Sequence, residues 1–472
     1  MNHRRLFATL VLIAMLGACG SDRRSTSPTT PATSPGTSPG ATTPETSGSE
    51  SKGWVDGEPQ WTADPGEASV SAGADTDRPA TDGDAMTAAS ESGDVAPPSP
   101  LPPGDERNPP DTSPLRAGNV DDNADFAAFL DYLARIADLG IATRQFDPSG
   151  RIVVSVIRPD GLPAAGVEVA VTGSDGAAVA TIRSTADGSV RFLPALYGPM
   201  QTTYGFAALG VEATAAPDGS VQLTVQPPTA PAGSVALDVL FLLDATGSMG
   251  DEIDRLKTTI DSVAGRLAGL DTQPDVRFGM TLYRDLEDSF VTSTYDFTGS
   301  LDDFRSALAN VVAEGGGDYP EALDEGLAEA LGTPTWRDPS STVQIVFLVA
   351  DAPPQVGRQV ETSYTQSIAE AISRGIKIIP IASSESDDQA EAVFRQLAAA
   401  TGARFVFLAN GAGGAATGPS TDIDSTDYEE LALDDLIVRL VSEELAALTG
   451  VEPADTTTST DQTPPPTNPD GQ

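Results

Sequence analysis

Residues 235–243 form a nearly continuous apolar run, interrupted only by Asp238, and the run stops at Asp244-Ala245-Thr246-Gly247-Ser248. A strand that is apolar on both faces must be covered on both faces, which a sheet with one wet side does not do. The run therefore predicts a central strand of a parallel sheet. The next stretch carries Ile253, Leu256, Ile260, Val263 and Leu267 at helical spacing. Strand-like runs recur at 276–283, 343–350, 376–382 and 404–408, separated by helical patterns at 301–313, 321–331, 363–374, 388–400 and 428–448. Alternation of this length predicts an α/β fold, a doubly wound parallel sheet. Such sheets bind ligands beyond the carboxyl ends of their strands.

Three groups of oxygen-bearing side chains fall at those ends. The first is Asp244, Thr246 and Ser248, where alternate residues of a turn aim one carboxylate and two hydroxyls at one point. The second is the loop Gly315-Gly316-Gly317-Asp318-Tyr319-Pro320-Glu321, and the third is Asp351, directly after a strand. Carboxylates with hydroxyls suit a hard divalent cation: Mg²⁺ first, then Ca²⁺ or Mn²⁺. Asp244 alone would equally suit a helix cap; the three groups in this order favour the cation. Composition closes the other routes. The chain has one histidine, His3, and one cysteine, Cys19, both among its first twenty residues. Beyond them there is no material for a Ser-His-Asp or Cys-His site, a zinc finger, haem ligation through histidine or an iron–sulfur cluster. The lysines are Lys52, Lys257 and Lys377, none of them in a Walker A loop. A formal charge of −42 argues against nucleic acid and against anionic lipid surfaces as partners.

These residues resemble the von Willebrand factor A domain and its metal-ion-dependent adhesion site, over residues 233–450. The family pattern is DxSxS, then a threonine from a second loop, then an aspartate from a third. Asp244, Thr246 and Ser248 match the first element with threonine for the first serine, and Asp351 matches the third. The second element departs, because Gly317 stands where the family has its threonine. Asp318-Tyr319-Pro320-Glu321 is similar instead to the Asp-x-Pro-Glu segment in the A-like domains of integrin β subunits. There the glutamate approaches the adhesion-site metal and the aspartate helps bind a neighbouring cation. The resemblance implies Asp244, Thr246, Ser248, Glu321, Asp318 and Asp351 as metal ligands. It also implies a second-cation set of Asp285, Asp318 and Glu321, although Arg284 offers Asp285 a structural partner instead. Three carboxylates about one divalent ion leave a net negative charge, which weakens the pull on a carboxylate ligand unless a second cation sits nearby.

Residues 1–18 read as a lipoprotein signal peptide. Arg4 and Arg5 precede an apolar run at 6–16 that is too short to span a bilayer. Leu16-Gly17-Ala18-Cys19 resembles the bacterial lipobox, which implies cleavage before Cys19, a diacylglycerol on its sulfur, and a place on the outer, extracellular or periplasmic, side of a membrane. Acyl chains contribute about 0.8 kcal/mol per buried CH₂. Residues 19–118 are rich in Ser, Thr, Pro and Gly and predict a disordered tether, holding the rest about 50–60 Å from the anchor. Residues 119–140 predict an amphipathic helix on Phe126, Phe129, Leu130, Leu133 and Ile136, capped by Asp121 or Asp122 and packed on the next domain. Residues 150–228 alternate apolar and polar between Asp-Gly turns, which predicts a β-sandwich. Ser155-Val156-Ile157-Arg158-Pro159-Asp160-Gly161, Val167-Glu168-Val169 and Asp187-Gly188-Ser189-Val190-Arg191-Phe192 resemble the carboxypeptidase regulatory-like, transthyretin-like family, whose domain is a spacer or a binding module. Residues 411–426 predict a mobile loop, and residues 451–472 a disordered tail.

The expected function is that of a lipid-anchored envelope protein that grips a protein partner through a divalent cation, with no enzymatic activity. Two rivals remain. A metal-dependent hydrolase would use metal-bound water, but the only bases nearby are carboxylates, Tyr283 and Tyr319. An envelope scaffold or assembly factor would need no regulated ligand.

Overall fold

The computed structural model of the chain describes residues 115–227, 235–270, 272–317, 319–383, 386–409 and 431–450. The leader, Cys19, the tether as far as residue 114, Asp318, the loop at 411–426 and the tail from 451 lie outside them.

The described chain opens with β1 (Arg116–Val120) and α1 (Phe126–Asp138). Seven short strands follow: β2 (Ile152–Ile157), β3 (Glu168–Thr172), β4 (Ala178–Arg183), β5 (Ser189–Phe192), β6 (Tyr204–Ala208), β7 (Val211–Ala215) and β8 (Ser220–Thr224). The next part runs β9 (Ala236–Asp244), α2 (Gly250–Ala268), β10 (Asp275–Tyr283), β11 (Thr292–Thr298), α3 (Leu301–Ala309) and α4 (Leu323–Gly332). It ends with β12 (Thr342–Ala350), α5 (Tyr364–Arg374), β13 (Lys377–Ala382), α6 (Asp388–Thr401), β14 (Phe405–Ala409), β15 (Leu431–Ala432) and α7 (Leu433–Thr449).

The large sheet has the order β11-β10-β9-β12-β13-β14-β1-β15. Strands β10, β9, β12, β13 and β14 are mutually parallel, as the continuous apolar runs require. All nine residues of β9 and all nine of β12 are buried. Phe241 stacks between Phe304 and Phe347, with ring centroids 6.0 and 5.7 Å away. The one charge inside the β9 apolar run, Asp238, is held by Arg277 Nη2 at 2.8 Å and by Arg337 Nε at 2.8 Å. Antiparallel strands finish the sheet on both sides, β11 against β10 and β1 against β14.

Strand β1 corrects the expected end of the tether: residues 116–118, read as tether, lie within the large sheet. Helix α1 begins later than expected. Asp121 is used by a turn, its Oδ1 accepting from the amides of Asn123 and Ala124, and Asp122 pairs with Arg395 at 2.7 Å. Asp125 is the cap, accepting from Ala128 N at 3.1 Å. The helix packs Phe129, Tyr132 and Ile136 on Ala392 and Ala399 of α6, while Arg151, at the start of the sandwich segment, lies over its Phe126 ring at 3.3 Å.

Strands β2–β8 form two sheets, β5-β2-β8 and β4-β3-β6-β7. Phe192 of β5 meets Tyr204 and Phe206 of β6 edge-on, at 5.0 and 5.7 Å, and closes one sheet on the other. This sandwich is spliced between α1 and β9 and lies against the large sheet's own loops. At Gly166 (φ +66°) an added Cβ would stand 2.3 Å from the backbone N of Ser340, so only glycine permits that approach.

Candidate metal centre

The register of the parallel strands sets up the site. Tyr283 lies beside Asp244, and Leu243 beside Val349. Asp244, Asp285 and Asp351 therefore emerge from neighbouring strands at the same end of the sheet, and all three are buried.

The first loop turns on Asp244. Its Oδ1 accepts from Thr246 N at 3.0 Å and from Thr246 Oγ1 at 2.6 Å, and Thr246 Oγ1 lies 3.1 Å from Ser248 Oγ. Asp244 and Thr246 are fully buried, whereas Ser248 is exposed. The second loop is stitched to the first by Gly247 N to Gly315 O and Glu314 N to Ala245 O, both 3.0 Å. Gly316 has φ +69°, and a Cβ there would stand 2.9 Å from Glu321 Oε1 and 3.1 Å from Thr246 Cβ. Glu321 thus reaches the first loop across a glycine. Its backbone N donates to Pro353 O at 3.1 Å, tying the second loop to the third. Tyr319 spans the same gap from the rim: its hydroxyl donates to Asp351 O at 3.4 Å and accepts from Asp387 N at 3.3 Å.

Asp285 Oδ1 accepts from Gln355 Nε2 at 2.9 Å. Asp288, which the sequence reading missed, organises the neighbourhood by accepting from Asp285 N at 3.0 Å and Gly316 N at 2.8 Å. Its signal was the spacing of three from Asp285 just past a strand end. Arg284 donates to Ser289 Oγ at 3.1 Å and Val312 O at 2.9 Å, and stacks on Phe290. Asp318 lies outside the described residues.

Burial and mutual repulsion dominate the electrostatics. Burial, then the charge of Asp351, pushes Asp244 up to about 7 against the hydrogen bonds from Thr246. Glu321 is pushed up to about 8 by burial and by the charges of Asp244, Asp285, Asp351 and Asp288. Burial, then the charges of Asp244, Asp351 and Glu321, push the Tyr283 phenol well above its ordinary range, so it stays protonated.

The donor set fits a hard cation. Asp244 Oδ2 and Glu321 Oε2 are buried and make no hydrogen bond of good geometry among the described residues, although the Tyr283 phenol lies near enough to Asp244 to favour its charged form. Buried oxygens of this kind ordinarily find a donor or an ion. Among the described residues no three acids, histidines or cysteines stand close enough to hold a metal unaided. A cation at Asp244 would have to draw on the Thr246 and Ser248 hydroxyls and on water as well, which would suit an ion that keeps part of its hydration shell.

Residues 238–414 match the family model of the von Willebrand factor type A domain. This segment is a von Willebrand factor A domain. The match leaves out β1, α1 and the sandwich. Over 117 residues the chain is 34% identical to alpha-protein kinase vwkA of Dictyostelium discoideum, covering 25% of this chain and 18% of that protein. The chain spans less than a fifth of the length of the curated relatives it matches. Among solved structures, it is similar to proximal thread matrix protein 1 of the mussel byssus with a zinc-occupied MIDAS motif. That match has 16% identity, covers 36% of this chain and 40% of that one, and has a TM-score of 0.30. BatB from Bacteroides thetaiotaomicron is 13% identical, with 44% of this chain and 98% of that one covered and a TM-score of 0.30.

Proposed function

We propose that this chain is a lipid-anchored, exported envelope protein whose A domain binds a protein partner through a divalent cation, Mg²⁺ first, held by Asp244, Thr246 and Ser248, with Glu321 and Asp351 reaching it through water and Asp318 a further candidate ligand from the sequence. The observation that carries this reading is the pair of buried carboxylate oxygens, on Asp244 and Glu321, that make no hydrogen bond of good geometry and lie beside the Thr246 and Ser248 hydroxyls. A bound cation would supply a positive centre with open positions for an oxygen atom of the partner. The chain's own residues do the rest. Thr246 fixes the Asp244 carboxylate, and Gly316 lets Glu321 close in. Val312 and Tyr319, 59% and 47% exposed, give the second loop an apolar rim against which a partner can pack.

The reading is binding, not catalysis. The phenol of Tyr283 is held protonated, and the acids of the site are positioned as ligands. Asp285, Asp318 and Glu321 are proposed as the set for a second cation. Anchoring rests on Cys19 and the residues before it. Incorporation of a labelled fatty acid into the intact chain but not into Cys19→Ala tests it.

The partner test is a pull-down from envelope extracts with the whole chain. A partner recovered in Mg²⁺ should be lost in EDTA and lost with Asp244→Asn. Equal recovery in all three samples would refute metal-dependent binding.

A further inference from the structure

We propose that Arg144, contributed by the segment between α1 and the sandwich and lying outside the matched A-domain residues, is a positioning residue for the metal centre. The inference rests on the reading of the strand ends as a divalent-cation site. Residues 141–146 run across α4, α5 and α6. Arg144 N donates to the Tyr364 hydroxyl at 3.0 Å, and Ala142 O accepts from Gln389 Nε2 at 2.5 Å.

The guanidinium reaches in two directions. Towards α4, its Nη2 pairs with Asp324 Oδ2 at 2.5 Å. Asp324 is buried in the first turn of that helix, three residues after Glu321, and its Oδ1 accepts from Tyr364 N at 2.6 Å. Towards the third loop, Nη1 and Nη2 each donate to Arg358 O at 3.3 Å, and Nη2 approaches Gln355 O at 3.5 Å. Gln355 carries the connection onward. Its side chain donates to Asp285 Oδ1 at 2.9 Å and to Pro320 O, the carbonyl just before Glu321, at 3.3 Å.

One side chain from outside the A-domain segment therefore braces both loops that present Glu321 and Asp351. It also pairs with a buried acid, Asp324, in the helical turn that follows Glu321. Groups hydrogen-bonded directly to a metal ligand typically carry about 10–100-fold in metal affinity; Arg144 acts one step further out, through Gln355 and Asp324, so its share falls at the lower end of that range.

The test is calorimetric titration of the whole chain with Mg²⁺ and Mn²⁺, together with thermal unfolding in EDTA. Arg144→Gln should weaken both ions by up to about tenfold, and Arg144→Lys, which keeps the charge and loses the fork, should fall between. Arg337→Gln is the control. Arg337 pairs with Asp238 at the opposite end of β9, about 20 Å from Asp244. It should lower the unfolding temperature and leave both affinities unchanged. If Arg144→Gln does not fold, Arg144→Lys decides. Affinities within about twofold of the unaltered chain in folded Arg144 variants would overturn the role of Arg144 alone. An equal weakening by Arg337→Gln would overturn it too, by showing a general effect of stability. An unaltered chain that binds neither ion would overturn the cation reading and this inference with it.

Discussion

Asp244 and Glu321 hold protons that exposed carboxylates would have lost, with values raised to about 7 and about 8. In the metal-free chain the folded state then binds more protons than the unfolded state, from the ordinary carboxylate range up to those values. Stability must fall as pH rises through that window. Thermal unfolding in EDTA should accordingly give a lower midpoint at pH 8 than at pH 5, and saturating Mg²⁺ should flatten the difference by taking over from the protons. A midpoint in EDTA that rises with pH would contradict this. Asp244→Asn removes one of the repelling charges and keeps the acceptor for Thr246. It should abolish divalent binding while raising the midpoint in EDTA at pH 8, a combination that simple damage to the fold would not produce. Mg²⁺ binding near pH 7 should release protons, detectable by calorimetry in buffers of different ionisation enthalpy.

At the scale of elements, β9 carries two charges with opposite jobs. Asp238 is bound by two arginines and secures one end of the strand, whereas Asp244 at the other end keeps an oxygen that makes no hydrogen bond of good geometry. Removing one arginine, as in Arg337→Gln, should cost up to about 3 kcal/mol in a denaturant titration, because it weakens the compensation of a buried carboxylate. Gly316→Ala should act on the site instead. Its Cβ would crowd Glu321 Oε1 at 2.9 Å, and a φ of +69° costs a non-glycine residue about 1–2 kcal/mol. A weaker Mg²⁺ affinity in that variant is the expected reading by calorimetry.

The central strands were legible because burial on both faces leaves a continuous apolar run, and their carboxyl ends pointed to Asp244 and Asp351. The edges were not. β11 reads Thr-Ser-Thr-Tyr-Asp-Phe-Thr, with its outer side open and little apolar signal. β1 reads Arg-Ala-Gly-Asn-Val and is a strand because β14 and β15 flank it. Asp288 and Gln355 act through long-range hydrogen bonds that no local spacing encodes.

At the scale of the molecule, the sandwich is bound into the A-domain part, a closer relation than that of a free spacer. Lys377 at the start of β13 is buried and pairs with Asp187 of the sandwich at 3.0 Å and with Glu444 of α7 at 2.6 Å. Lys377 and Arg191 hold the Asp187 carboxyl below its usual range. Lys377→Met would leave two half-buried acids without their shared counter-ion and should lower the unfolding midpoint of the sandwich and the large sheet together, seen as one shifted transition in scanning calorimetry. A chain begun at residue 233 would lack β1, α1 and Arg144, so it should be less stable than one begun at residue 115. All of this structure converges on one end of one sheet, and direct titration of the whole chain with Mg²⁺ tests that point. Saturable binding that Asp244→Asn abolishes is the expected result. No binding by the unaltered chain, or equal binding by Asp244→Asn, would contradict a metal centre at the ends of β9 and β12.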